Sequence, residues 1–583
     1  MKLIASAFQP VSVPSIKTPE MAFWFAVSFI SPLYFGLVSL FHATSFRYIV
    51  QDDARLHIVW LQRLTDPALF PNDFIADYFG IIQPAGFQWL YGLAASLGIE
   101  ALTFAKILPL FLALITTAYL FWVALIILPV PISGVLTTLL LNQNIWIRDD
   151  LISAAPRAFV YPIFAAFLYY LLRDSKVGYL VSLSLLGLFY PQMMLIAIAL
   201  LTLRLVKWQK YSPKLSRNFR DYAVWLIALA ITGTLLLTFS HRVAVQVGQL
   251  ATLEEMKTLP EFQLGGRGEY FGVSFQSFWF DGSSGVRFPL LPPVILLGIL
   301  LPFVVRRTQP SGRLAAQITP QVRIIGQLLV CAIALFLTAH LIFPTLYLPS
   351  RYTFYSSRFV LILASGTMLT LVSHRWLRWL IAQAKNPNKW KGLNPLRLGA
   401  STALAIAILT TPAVPLLFLG GQGWRIGEPV EIFEHLARSP KDSLVASLVT
   451  EINDNVPAFS QRSVLVGREF ALPFHTDFYA VLAQRMRDLV RSQYTPNPTV
   501  LRTFIQTYGI DSWIIAKDFT NPEYLDQQTW LLNSSAKETV IEAKTQLQQG
   551  IQPAILRSTP TCTTFEKANL IVLDVQCVTR TID

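Results

Sequence analysis

The chain has 583 residues, of which 53% are apolar and only 14% charged, and its mean hydropathy is +0.49. Soluble domains carry about 25% charged residues, so this composition excludes an ordinary soluble protein and points to one embedded in lipid. The net charge of +13 needs no nucleic-acid partner, because the Lys and Arg residues gather in loops between apolar runs, as cytoplasmic loops do.

Residues 1–20 carry Lys2 and Lys17 and no small-residue cleavage site after the first apolar run. Residues 1–20 therefore read as a cytoplasmic N-terminus and 21–41 as a retained signal anchor. Further apolar runs fall at 101–128, 132–147, 157–172, 177–190, 192–206, 223–240, 288–305, 324–343, 359–373 and 398–419. They predict a polytopic α-helical membrane protein with about eleven spans. The loops 207–222, 306–323 and 374–397 are rich in Lys and Arg. Read as cytoplasmic, they place the N-terminus inside and residues 420–583 outside. The apolar stretch 86–98 is too short to cross and reads as an interfacial helix, with Trp89 and Tyr91 at headgroup level.

The first outer loop, 42–100, opens with Gln51-Asp52-Asp53-Ala54-Arg55-Leu56-His57. Leu56, Val59, Trp60 and Leu64 fall on one face at helical spacing, which predicts an amphipathic helix. Asp52 and Asp53 then lie at its N-terminus, where the dipole favours carboxylates, and suit either capping or catalysis. His57, four residues after Asp53, suits a helix-surface ion pair better than a metal site.

The second outer loop carries Arg148-Asp149-Asp150 and Pro156-Arg157 close to the membrane surface. Ionisable groups at that depth line a cavity or simply end a loop. The loop 241–287 contains Gly265-Gly266-Arg267-Gly268, which lacks the context of a nucleotide fingerprint and suits a mobile lid. Residues 348–358 place Arg351 and Arg358 among three aromatic residues and several hydroxyls. Arginine forks match phosphate oxygens, although an aromatic belt with two snorkelling arginines fits the same pattern.

From Trp424 on the composition becomes that of a soluble domain. Residues 463–467, 510–516 and 570–575 read as strands, and 477–491 and 524–549 as mostly helical, a small extracytoplasmic α/β domain over 424–583. Cys562 and Cys577 lie in it and would pair only in an oxidising compartment, whereas Cys331 reads as a small core residue.

The order of these features resembles the GT-C superfamily of membrane glycosyltransferases, which includes aminoarabinose, mannosyl and oligosaccharyl transferases. The resemblance rests on a first span followed by Asp52 and Asp53, a degraded motif at Gln83-Pro84 before Phe87, Trp89 and Tyr91, a further acid at Asp149 or Asp150, and a trailing outer domain. It covers 20–210 by layout and implies a transmembrane domain over 21–423. The run Asp66-Pro67 through Leu69-Phe70-Pro71-Asn72-Asp73 resembles bacterial proteins of this type.

The resemblance implies an enzyme of the bacterial inner membrane and cell envelope that uses a polyprenyl-phosphate-linked sugar donor. The acceptor would be a lipid, a glycan or a protein, and the anomeric centre would be inverted. Asp53 or Asp52 would be the base, and Asp149 or Asp150 would position the acceptor or a divalent metal, Mg or Mn. Arg351 and Arg358, with Arg157, would hold the phosphate. The alternatives are a lipid or glycan transporter or flippase, and a non-catalytic membrane scaffold.

Overall fold

The computed structural model describes residues 6–10, 18–209, 212–272, 274–306, 314–384, 399–400, 403 and 423–582. Among the described residues, five helices are long and apolar enough to cross a membrane: Pro19–Thr44, Ala101–Ile127, Phe219–Val247, Pro320–Leu341 and Ser350–Trp379. Pro156–Leu172, Lys176–Phe189, Pro191–Arg204 and Pro293–Val305 are apolar but shorter. Pro131–Ile145, expected as a span, is buried along most of its length and ends in the polar run Asn142-Gln143-Asn144. The expected total of about eleven spans is thus not reproduced as helices of full crossing length. The last of them, 398–419, lies largely outside the described residues.

The segment 42–100 is a folded layer. Ile49–Gln51 is a strand that pairs antiparallel with Trp424–Ile426, Gln51 opposite Trp424. The helix that follows, Asp52–His57, stops after six residues, and Val59–Leu64 continues as 3-10 helix. This change of pitch breaks the expected amphipathic face. Leu56, Val59 and Trp60 are buried, whereas Leu64 is exposed. The indole of Trp60 packs against Phe70, Phe79 and Phe470, with ring centroids 5.2, 6.2 and 5.1 Å away. One side chain thereby joins the loop to the C-terminal domain.

Phe74–Ile82 is capped by Asp73, whose Oδ1 accepts from the N–H groups of Ile75 and Ala76 at 2.8 and 2.9 Å. The interfacial helix is Ala85–Ser96, too short to cross. Trp89 on it is 67% exposed. Tyr91 departs from the expectation: it is buried, and its hydroxyl donates to Ala154 O at 3.2 Å. Its ring anchors the helix to the second outer loop.

The loop 241–287 is also docked rather than free. Glu261 is buried, and its Oε1 accepts from Ser535 N and Ser535 Oγ at 2.5 and 2.7 Å. Arg267 pairs with Glu469 at 2.7 Å. The Gly-rich patch expected as a mobile lid is therefore a turn held on the C-terminal domain.

That domain has a five-stranded sheet in the order Ser463–Val464, Leu444–Ser447, Ser512–Ala516, Leu570–Asp574, Thr563–Lys567. The first three strands are parallel and the last two antiparallel to their neighbours. The expected α/β class holds, with two strands added to those expected, at Leu444–Ser447 and Thr563–Lys567. The helical region 524–549 divides into Pro522–Gln527, Thr529–Leu532 and Lys537–Gln548. Cys562 and Cys577 form a disulfide, and Cys331 is buried and free.

Candidate active site

Asp53 sits in the first turn of Asp52–His57. Asp149 and Asp150 begin the four-residue helix Asp149–Ile152. The chain then reverses through Ala154, whose φ of 53° is left-handed. The Tyr91 hydroxyl holds that turn at the Ala154 carbonyl. The reversal brings Arg157 back over the acids it follows.

The guanidinium of Arg157 meets three carboxylates at once. Its Nε lies 2.5 Å from Asp53 Oδ2, its Nη2 2.6 Å from Asp149 Oδ2, and its Nη1 3.5 Å from Asp150 Oδ1. Asp150 is fully enclosed, and its Oδ2 pairs with Arg358 at 2.5 Å. The hydroxyl of Tyr161 also faces Asp150 Oδ2 at 3.3 Å.

Asp52 and Asp53 are adjacent but unlike. Asp52 pairs with Arg55, and Arg425 reaches it through Nε at 3.1 Å and Nη2 at 3.2 Å. Burial works against its ionisation, but hydrogen bonds and charge from Arg425 and Arg55 prevail and hold the carboxyl low. Asp53 has burial as its largest influence, and its carboxyl is raised despite the charges of Arg157 and Arg351. Asp149 is raised by burial and by Asp53 and Asp150, against Arg157. Asp150 is low, because Arg358 and Arg157 overcome its burial. Two low and two raised carboxyls thus meet in one place.

His57 differs from the expected ion pair. Burial, with the charges of Arg157 and Arg351, pushes its ring down to about 3, so it is neutral. Its backbone carbonyl accepts from Gln83 Nε2.

Arg358 and Arg157, expected at a phosphate, face carboxylates instead: Arg358 is 1% exposed and pairs with Asp150. Arg351 is different. Among the described residues no carboxylate pairs with it, although its Nε, like those of Arg157 and Arg358, is buried without a hydrogen-bond partner. Two further arginines lie nearby that the sequence did not single out. Arg148, Arg287 and Arg358 gather around the ring of Phe354, at 5.5, 5.0 and 4.1 Å from its centroid. The charges of Arg351 and Arg148 both act on Arg287. Among the described residues neither Arg148 nor Arg287 has a salt-bridge partner. Asp150, already paired with Arg358, is the carboxylate whose charge reaches both Arg148 and Arg287, so the cluster keeps an excess of positive charge that suits a bound polyanion. The only sequence signal for Arg148 was its place beside Asp149, and Arg287 had none.

A divalent ion does not fit the acids as they stand. It needs several oxygens at about 2.0–2.6 Å. Here the oxygens of Asp53, Asp149 and Asp150 are turned to guanidinium groups. Among the described residues no three metal-ligating side chains come together to hold an ion.

No family model and no curated protein matches the chain in sequence. Solved structures do match in fold. One is the archaeal oligosaccharyltransferase AglB from Archaeoglobus fulgidus in complex with an inhibitory peptide and a dolichol-phosphate. It is 10% identical, the match covers 90% of this chain and 72% of that one, and the TM-score is 0.53. Another is the Archaeoglobus fulgidus oligosaccharyltransferase tethered to an acceptor peptide containing the NVT sequon. It is 10% identical, with 91% and 72% of the two chains covered and a TM-score of 0.53. Matched over nine-tenths of its length, this chain has the fold of those oligosaccharyltransferase structures.

Proposed function

We propose that the chain is an inverting glycosyltransferase that moves a sugar from a polyprenyl-phosphate-linked donor to an acceptor on the outer face of a bacterial inner membrane. The observation that carries this reading is the meeting of Asp53, Asp149 and Asp150 at Arg157, with Arg351 and its unpaired neighbours alongside. Acids and arginines from three separate parts of the chain converge, as an acceptor base and a leaving-group phosphate require.

Asp53 is the base. Its raised carboxyl is better matched to taking a proton from an acceptor hydroxyl than the low Asp52, which is held by two arginines. Asp149 orients the acceptor from the other side of Arg157. As the sugar leaves, negative charge grows on the lipid phosphate, and Arg351 with Arg148 and Arg287 is placed to stabilise it. The dolichol-phosphate in the first archaeal neighbour supports a lipid-linked donor, and the acceptor peptide tethered to the second supports a protein among the acceptors open to this chain. The disulfide of the C-terminal domain supports its placement in an oxidising compartment.

The test is Asp53→Asn in cells, followed by analysis of envelope glycoconjugates and of lipid-linked sugars. Loss of a base lowers rate by about 10²–10⁴-fold, so the product should vanish while the lipid-linked donor accumulates. Asp52→Asn should lower product less. Unchanged glycans in the Asp53 variant would sink the base assignment. Unchanged glycans and no accumulating donor on deletion of the whole chain would sink the transferase reading.

A further inference from the structure

We infer that the Arg157 guanidinium is the resident cation of this site, standing where a divalent metal would otherwise sit, so that Asp53 and Asp149 are organised without a metal ion. The inference deepens the transferase reading above and shares its site.

The geometry is that of a ligand shell around a guanidinium. Asp53 comes from the first outer loop, and Asp149 and Asp150 come from the second. Their oxygens lie 2.5, 2.6 and 3.5 Å from three different nitrogens of the same planar group; Asp149 accepts a hydrogen bond from Nη2, whereas Asp53 beside Nε and Asp150 beside Nη1 are held as ion pairs. A guanidinium has five N–H donors in a fixed fork and can serve several carboxylates. A lysine ammonium is a single point on a flexible stem and could not span this set.

The placement of Arg157 is built in. Pro156 opens the short 3-10 helix Pro156–Phe159, and Ala154 turns the chain back just before it. Tyr91 holds the Ala154 carbonyl. The side chain is 14% exposed, so it cannot swing into solvent without opening the site. A metal brought to Asp53 and Asp149 would sit against a permanent positive charge.

Charge balance points the same way. Asp150 is neutralised by Arg358, which leaves Asp53 and Asp149 to share Arg157. One paired positive charge between two carboxylates leaves the second negative charge only to Arg351, which acts on Asp53 without forming an ion pair with it. A divalent ion would quench both. A guanidinium leaves one carboxylate able to take a proton, which is what a base must do. Arg157 is on this account a positioning residue that acts through Asp53.

The experiment uses full-length protein in detergent and Mn²⁺ as the probe, followed by its electron paramagnetic resonance signal. Wild type should leave Mn²⁺ free. Arg157→Gln removes the guanidinium and should gain a Mn²⁺ site, and adding Asp53→Asn to it should abolish that site. Arg157→Lys keeps the charge and should leave Mn²⁺ free, while failing to support full transfer. Mn²⁺ bound by wild type and lost in Asp53→Asn overturns the inference. So does a folded Arg157→Gln protein that gains no site, because the acids would then not be arranged around a cation. The metal readout does not depend on any donor or acceptor. An inactive wild type that still leaves Mn²⁺ free, beside an Arg157→Gln variant that binds it, would sink the transferase reading and leave this inference standing.

Discussion

Arg358 and Asp150 form the most enclosed ion pair among the described residues, with side chains 1% and 2% exposed and Nη1 2.5 Å from Oδ2. The Arg358 guanidinium also stacks on Phe354 at 4.1 Å. This pair fixes the second outer loop against the helix Ser350–Ala384 and so sets where Asp149 and Arg157 stand.

Breaking one side of such a pair strands a buried charge and costs about 3–5 kcal/mol. Arg358→Ala should therefore lower the melting temperature of the detergent-solubilised protein sharply. The double change Arg358→Met with Asp150→Leu should recover much of the loss. A variant Arg358→Ala that melts with wild type would show that the pair does not hold the loop.

The raised carboxyls of Asp53 and Asp149 set the acid side of the activity profile. Both bind a proton above the ordinary aspartate value of about 3.9, so transfer should fall off at higher pH than an exposed carboxylate would dictate. Asp149→Asn removes a like charge and leaves Arg157 to Asp53 and the more distant Asp150. It should move that limb to lower pH, whatever it does to the maximal rate. A limb that does not move would separate the two acids.

The same acids show how far sequence reaches. Asp52, Asp53, Asp149, Asp150 and Arg157 could be singled out because each follows an apolar run on one side of the membrane. Their partners could not. Arg425 lies 373 residues from Asp52, and Asn455 lies 400 from Arg55. No local pattern marks such pairs. The helix at Asp52–His57 was legible, but its change to 3-10 pitch was set by packing of Trp60 against Phe470 in another domain. The strand Leu444–Ser447 has four residues, and its identity comes from two parallel neighbours rather than from its own alternation. The arginine fork of Arg351 was visible beside aromatics, whereas Arg287 sat alone among loop residues.

Asp454 makes stability depend on pH. Burial and the nearby Glu469 push its carboxyl up to about 7, against the charges of Arg55 and Arg267. The folded value lies above the unfolded one, so the folded chain holds the proton more tightly. The contribution is full below the unfolded value and is lost as pH rises towards 7. Wild type should therefore melt lower at about pH 8 than at about pH 5, and Asp454→Asn should flatten that dependence. Parallel curves for the two proteins would remove Asp454 as the cause.

The disulfide between Cys562 and Cys577 closes a loop with a sequence separation of 15. A loop of that size is worth about 3 kcal/mol in the chain-entropy account. Cys562→Ser with Cys577→Ser should lower the melting temperature, and a thiol-blocking gel shift on protein from intact cells should find only Cys331 reactive after unfolding. Three reactive thiols would place the domain in a reducing compartment and reverse the assigned orientation.

The pairing of Ile49–Gln51 with Trp424–Ile426 has a consequence for the order of assembly. Gly423 accepts the Asp52 backbone N–H at 2.8 Å, and Arg425 grips the Asp52 carboxylate. The ribosome makes these two residues hundreds of codons after Asp52. The first loop is thus made with its acid layer unfinished, and the segment that opens the C-terminal domain supplies the strand that completes it. A nascent chain stalled before residue 424 would be threaded through the bilayer yet lack the finished site.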